Sequence, residues 1–197
     1  MTGERFPLRF NPLPPERFLE HLSFGSYDVS PDGRRIAFAS NITGRCELWW
    51  MEVDRPWPRR LTFSGQTVID VRFSPDGRTV LYASDRDGDE DFDIFAAPLE
   101  GGDPTLVLGG RGIRFYAPEV PKGSPGTLLY LSDKIGGEHL SVFVRDLQTG
   151  AEEEVRVEGR TTVLSDYTPD LEGLLVVGVR DNTDQRLYYW DRRSGRA

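Results

Sequence analysis

The stretch V-I-D-V-R-F-S-P-D-G-R-T-V-L-Y-A-S-D-R-D-G-D-E-D-F-D-I-F-A-A-P-L-E-G-G-D-P-T-L-V-L runs from Val68 to Leu108 and decides the fold. It holds four short apolar runs separated by three turn signals. Val68 to Phe73 ends in Ser74-Pro75-Asp76-Gly77. There Pro75 presets φ at the first central turn position, Asp76 can bond its own backbone, and Gly77 accepts a positive φ. Val80 to Ala83 leads into the polar loop 85–91. Phe92 to Ala97 leads into Leu99-Glu100-Gly101-Gly102, and Thr105 to Leu108 closes the set. The pattern predicts a four-stranded antiparallel meander of about 41 residues, close to the roughly 40–45 of one propeller blade.

The chain on both sides repeats this unit. Upstream, a first repeat begins near Ser26 and carries Ser30-Pro31-Asp32-Gly33. It continues through Ile36-Ala37-Phe38-Ala39-Ser40, a loop at 41–44, Leu48-Trp49-Trp50-Met51 and an outer strand at Arg60-Leu61-Thr62-Phe63. Downstream, a third repeat has a longer first turn at 118–126, then Leu128 to Ser132, Leu140 to Val144, and a charged outer strand at 152–157. A fourth has Val163 to Tyr167, a turn at 168–173, Leu174 to Val179, a loop at 180–184 and Arg186 to Trp190, and reaches the turn Arg192-Arg193-Ser194-Gly195 without a fourth strand. Repeats three and four lack Ser-Pro-Asp-Gly, so they rest on spacing and apolar pattern. Leu48, Ile94, Val142 and Leu187 recur at the same place in the third strands. Each is followed by an aromatic residue: Trp49, Phe95, Phe143 and Tyr188. Phe38, Tyr82 and Tyr130 match in the second strands, which are apolar on both faces. A sheet covered on one side would alternate; stacked blades cover both.

The expected fold is therefore all-β, with four consecutive propeller blades and the last incomplete. The expected organisation is a leader over 1–25, blade 1 over 26–65, blade 2 over 66–109, blade 3 over 110–158 and an incomplete blade 4 over 159–197. In the leader, Pro12, Pro14 and Pro15 precede a short helix that puts Phe18, Leu19 and Leu22 on one face. Three and three-quarter blades predict an open arc, with an apolar face uncovered at each end and self-association as the consequence.

The bulk numbers exclude several classes. The chain has 197 residues, 38% hydrophobic composition and a net charge of −8, which disfavours nucleic acid as a partner. No basic-then-apolar signal opens it, and no apolar run approaches the roughly 18 residues of a membrane span. The expectation is a cytoplasmic protein with no membrane partner. Cys46 is the single cysteine, so no intrachain disulfide can form, and it reads as a small buried apolar residue.

Ser-Pro-Asp-Gly-Arg before an apolar strand, then Ser84-Asp85-Arg86-Asp87-Gly88 and Asp93-Ile94-Phe95, resembles the WD-like repeats of TolB-like proteins. The same repeats build the N-terminal propeller of prolyl-oligopeptidase-family serine peptidases, the acylaminoacyl-peptidase-like branch in particular. The lead-in Glu16-Arg17-Phe18-Leu19 is more like the peptidase branch. The resemblance implies a truncated peptidase propeller that admits short peptides to a catalytic domain absent from this chain. Its partners would be that domain and the remaining blades. The alternative is a non-enzymatic TolB-like scaffold for protein partners.

The resemblance implies a Gly-x-Ser-x-Gly elbow followed by Asp and His. None occurs, Gly123-Ser124-Pro125-Gly126 being too short, so no catalytic residue is assigned. His21 and His139 read as surface or packing residues. One cysteine and two separated histidines build no metal cluster, and no cofactor is expected. Asp85, Asp87, Asp89, Asp91 and Asp93 alternate along one loop and could converge on calcium. The calcium-loop template fails, however, because Glu90 and Ala96 stand where glycine and glutamate are needed; the other reading is a solvated hairpin. Gly109-Gly110-Arg111-Gly112 lacks a third spaced glycine and a following helix, so a phosphate cradle is not expected. Asn41-Ile42-Thr43 fits a glycosylation acceptor without other signs of secretion. Trp50, Trp57 and Tyr189 could line a binding face, with blade packing as the commoner use.

Overall fold

Fifteen strands follow one another in the computed structural model, which describes residues 21–197 apart from 136 and 138. The predicted leader helix and the faces of Phe18 and Leu19 lie outside the described residues. The first sheet contains β1 (Phe24–Val29), β2 (Arg35–Ser40), β3 (Glu47–Glu52) and β4 (Arg59–Arg60). The second contains β5 (Val68–Phe73), β6 (Thr79–Ser84), β7 (Asp93–Pro98) and β8 (Thr105–Leu108). The third contains β9 (Phe115–Glu119), β10 (Thr127–Ser132), β11 (Ser141–Asp146) and β12 (Glu152–Val155). The fourth has three strands: β13 (Thr161–Tyr167), β14 (Gly173–Val179) and β15 (Gln185–Asp191). Every sheet pairs its strands in chain order and antiparallel, which is the blade meander. Among the described residues no helix is long and apolar enough to cross a membrane.

The sheets stack face to face in sequence. Ala37, Ala39, Leu48 and Trp50 of the first sheet bury against Val80, Tyr82 and Ala97 of the second. The opposite face of the second sheet, with Leu81 and Ile94, packs on Leu128, Tyr130 and Phe143 of the third. Leu129, Val142 and Val144 of the third then pack on Leu174 and Val176 of the fourth. Both faces of β6 and β10 are used, which is why their sequences do not alternate. The aromatic column pairs across strands: Phe38 opposite Trp49, Tyr82 opposite Phe95 and Tyr130 opposite Phe143. Tyr130 and Phe143 stack at 5.3 Å between centroids. Burying each of these rings contributes about 1.5–3 kcal/mol.

Several boundaries differ from the sequence reading, each for a local reason. β1 starts at Phe24, two residues before the expected start at Ser26. The expected outer strand at 60–63 shortens to Arg59–Arg60 because the Thr62 hydroxyl takes the Leu48 amide at 2.9 Å in place of a backbone carbonyl. The turn expected at 118–126 begins later, since Pro118 and Glu119 belong to β9. β9 lies at a sheet edge, where a missing proline N–H costs no ladder bond. β12 ends at Val155 and not at Val157, whose amide instead meets Thr162 Oγ1 at 3.2 Å.

The expected turn of repeat four forms at 168–173, with the geometry of Ser-Pro-Asp-Gly though not its sequence. Thr168-Pro169-Asp170-Leu171 reproduces the Ser-Pro-Asp-Gly geometry. Thr168 Oγ1 donates to Asp170 Oδ1 at 2.6 Å, as Ser30 does to Asp32 and Ser74 to Asp76. The Glu172 amide donates to Asp170 Oδ1 at 3.0 Å, as the Arg34 and Arg78 amides do to theirs. Leu171 takes the glycine position at φ 57°, against 71° for Gly33 and 66° for Gly77.

Candidate functional site: the axial cleft

The first strand of each sheet lies at the centre of the stack, with β1 against β5 and β5 against β9. Each carries a bulge or register shift in its pairing with the next strand. Bulges bend a strand and re-aim its side chains. Asp70 and Ala117 adopt positive φ at theirs, 54° and 48°. The bulges let side chains latch one sheet to the next. Ser26 Oγ accepts the Val71 amide at 2.9 Å, Asp28 Oδ2 the Phe73 amide at 2.8 Å, and Asp70 Oδ2 the Ala117 amide at 2.9 Å.

The ends of these strands converge on a cleft of about 420 Å3. Asp28 and Val29 come from β1, Arg72 and Phe73 from β5, Glu119 from β9 and Tyr167 from β13, so all four sheets contribute. Lys122, from the following turn, sits at its mouth. A second cavity of about 240 Å3 adjoins it, and Arg72, Glu119 and Tyr167 line both. These three side chains therefore stand between the two spaces. Tyr167 Oη donates to Glu119 Oε1 at 2.5 Å. Burial first, and then this bond to a carboxylate, push the Tyr167 phenol well above its ordinary range, so it remains a neutral donor. Arg72 Nη1 donates to the Val71 carbonyl at 2.9 Å. Neither Arg72 nor Lys122 joins an ion pair among the described residues. The cleft thus carries two acids against two cations and is walled by Val29, Pro31, Phe73, Pro75 and Pro169.

Sequence reasoning passed over Arg72, Glu119, Lys122 and Tyr167. A signal existed: the last two residues of each first strand are Asp28-Val29, Arg72-Phe73, Pro118-Glu119 and Asp166-Tyr167, and each strand end turns toward the axis.

The residues that were singled out lie elsewhere. The aspartates of the 85–93 loop are turned onto neighbouring loops. Asp85 accepts the Thr67 amide at 2.8 Å, Asp91 the Gly112 amide at 3.0 Å and Asp93 the Gly110 amide at 3.1 Å, while Arg86 pairs with Asp93. Gly110 and Gly112 thus spend their amides on this hairpin. Among the described residues no three carboxylates, thiols or imidazoles gather as a metal set. Asn41 and Asp133 repeat the role of Asp85, accepting the Ser23 and Arg114 amides at 2.7 and 2.8 Å. His139 Nδ1 lies 3.2 Å from the Arg160 carbonyl, and the His21 carbonyl accepts the Asn41 side chain. Ser124 sits in a turn, its amide on the Pro121 carbonyl. Cys46 precedes β3 and is half-buried; burial pushes its thiol up. Trp50 packs between the first two sheets, under Arg59 at 4.9 Å, whereas Trp57 and Tyr189 are exposed.

Known proteins share this architecture. The chain is 29% identical over 143 residues to the dipeptidyl aminopeptidase BIII of Pseudoxanthomonas mexicana, covering 70% of this chain and 20% of that one. TolB from Acinetobacter baumannii superposes with a TM-score of 0.69 at 18% identity, covering 88% of this chain and 42% of that one. A puromycin-hydrolysing peptidase of Mycobacterium tuberculosis gives 0.66 at 17%, covering 88% and 28%. No protein-family model matches. The fold is that of the TolB and peptidase propellers, and the chain spans about a fifth of the curated peptidase it resembles.

Proposed function

We propose that these blades are the propeller portion of a serine peptidase of the prolyl-oligopeptidase family, passing short peptides to a catalytic domain and excluding folded proteins. The pair of adjoining cavities that share Arg72, Glu119 and Tyr167 is the observation that carries this reading. A cleft of about 420 Å3 falls within the roughly 300–1,000 Å3 of small-ligand sites and excludes a folded domain. The similarity to a dipeptidyl aminopeptidase supports the peptidase over a scaffold. In this reading the 197 residues carry no chemistry of their own.

Two measurements test it. The coding sequence downstream of Ala197 is expected to encode further blades and then Gly-x-Ser-x-Gly followed by Asp and His. A stop codon after two or three more repeats overturns the proposal in favour of a TolB-like scaffold. The purified chain is expected to hydrolyse neither acyl-aminoacyl nor prolyl chromogenic peptides. Turnover sensitive to a serine-directed inhibitor overturns the non-catalytic assignment.

A further inference from the structure

We infer that the axial cleft is a binding site for short peptides with a free C-terminal carboxylate, held by Arg72 and Lys122. The inference rests on reading the arc as a peptide gate and specifies what the gate recognises. Both oxygens of Asp28 and one of Glu119 are already committed. Asp28 accepts the Val29 amide at 2.8 Å and the Phe73 amide at 2.8 Å through its two oxygens. Glu119 Oε1 accepts the Tyr167 phenol. The cations are not committed in this way. Arg72 donates one N–H to its neighbour's carbonyl and keeps the rest of its fork on the cleft side, where planar donors match a carboxylate. Lys122 stands exposed at the mouth. The carboxyl end of a peptide thus meets two positive groups. Phe73, Val29 and three prolines offer apolar walls to its side chains.

The probe is the tripeptide Ala-Ala-Phe, titrated calorimetrically into the 197-residue chain beside its C-terminal amide. The free acid is expected to bind and the amide to bind at least about tenfold more weakly, as expected when a charge-assisted pair is lost. Arg72→Met is expected to weaken the acid to a similar degree, and Lys122→Glu at least about threefold. Equal affinity for acid and amide, or no binding of the acid, overturns the inference. If Arg72→Met does not fold, the exposed Lys122→Glu decides, and unchanged affinity there also overturns it. No catalysis enters the readout. A failed titration therefore leaves the gate proposal standing, and a stop codon after a few repeats would leave this site intact.

Discussion

Gly77 shows how much one backbone angle carries. It closes the Ser-Pro-Asp-Gly turn at φ +66°, and a Cβ added there would lie 3.3 Å from Pro31 Cδ in the neighbouring turn. Gly77→Val combines left-handed strain with that contact and is expected to lower stability by about 1–3 kcal/mol, read from a denaturant melt. An unchanged midpoint would show that the turn tolerates a side chain. Leu171 occupies the same turn position at φ 57° and is tolerated because its side chain is buried in the third and fourth sheets' shared core. A second residue with a measurable consequence is Glu152. Burial disfavours its charge, but Lys134, Tyr130 and Arg145 all donate to it and hold the carboxyl at about 2. A carboxyl depressed in the folded state stabilises fully above its unfolded value near 4.5 and loses that contribution as pH falls toward about 2. Glu152→Gln should therefore cost about 1–3 kcal/mol at neutral pH. The gap to wild type should close as acid melts approach pH 2, and a gap independent of pH would refute the assignment.

The bulged first strands are where neighbouring sheets are joined. β1 holds β5 through Ser26 and Asp28, and β5 holds β9 through Asp70, each bond a side-chain oxygen on a backbone amide. Removing such an acceptor leaves a donor unsatisfied and costs about 1–3 kcal/mol. Asp28→Ala is expected to speed hydrogen exchange at Phe73, whose amide loses its partner. Exchange in β10 and β11, two sheets away, should hold its wild-type rate. Uniform acceleration across all four sheets would mean that the stack opens as one unit and that Asp28 has no local role.

At the scale of the whole molecule, the first and fourth sheets leave apolar side chains exposed among the described residues. Phe24 and Tyr27 at one end are 62% and 68% exposed, and Leu187 and Tyr189 at the other are 62% and 57% exposed. Among the described residues, the only pairing on the outer edge of β15 is the Asp191–Arg196 bridge. Apolar faces beside a free strand edge promote association. Light scattering coupled to size exclusion is expected to find dimers or larger species at tens of micromolar chain. A monomer with a cooperative melt would show that the ends are covered in solution.

The blade meander was legible in the sequence because its causes are local. Turn chemistry at Ser30–Gly33 and Ser74–Gly77, runs of apolar residues on both faces of β2, β6 and β10, and the aromatic column from Trp49 to Tyr188 each reflect one strand or one turn. The turn at 168–173 was legible, but Leu171 in its glycine position was not, because the burial that offsets its strain shows in no local pattern. The cleft was invisible for the same reason at larger range. Arg72, Glu119 and Tyr167 come from three different repeats, and in sequence each is an ordinary polar residue near a strand end. Stacking of the sheets sets their proximity, and the bulges set where they point. Both arise from contacts between residues roughly 45 positions apart, a separation at which composition and periodicity carry no information on geometry.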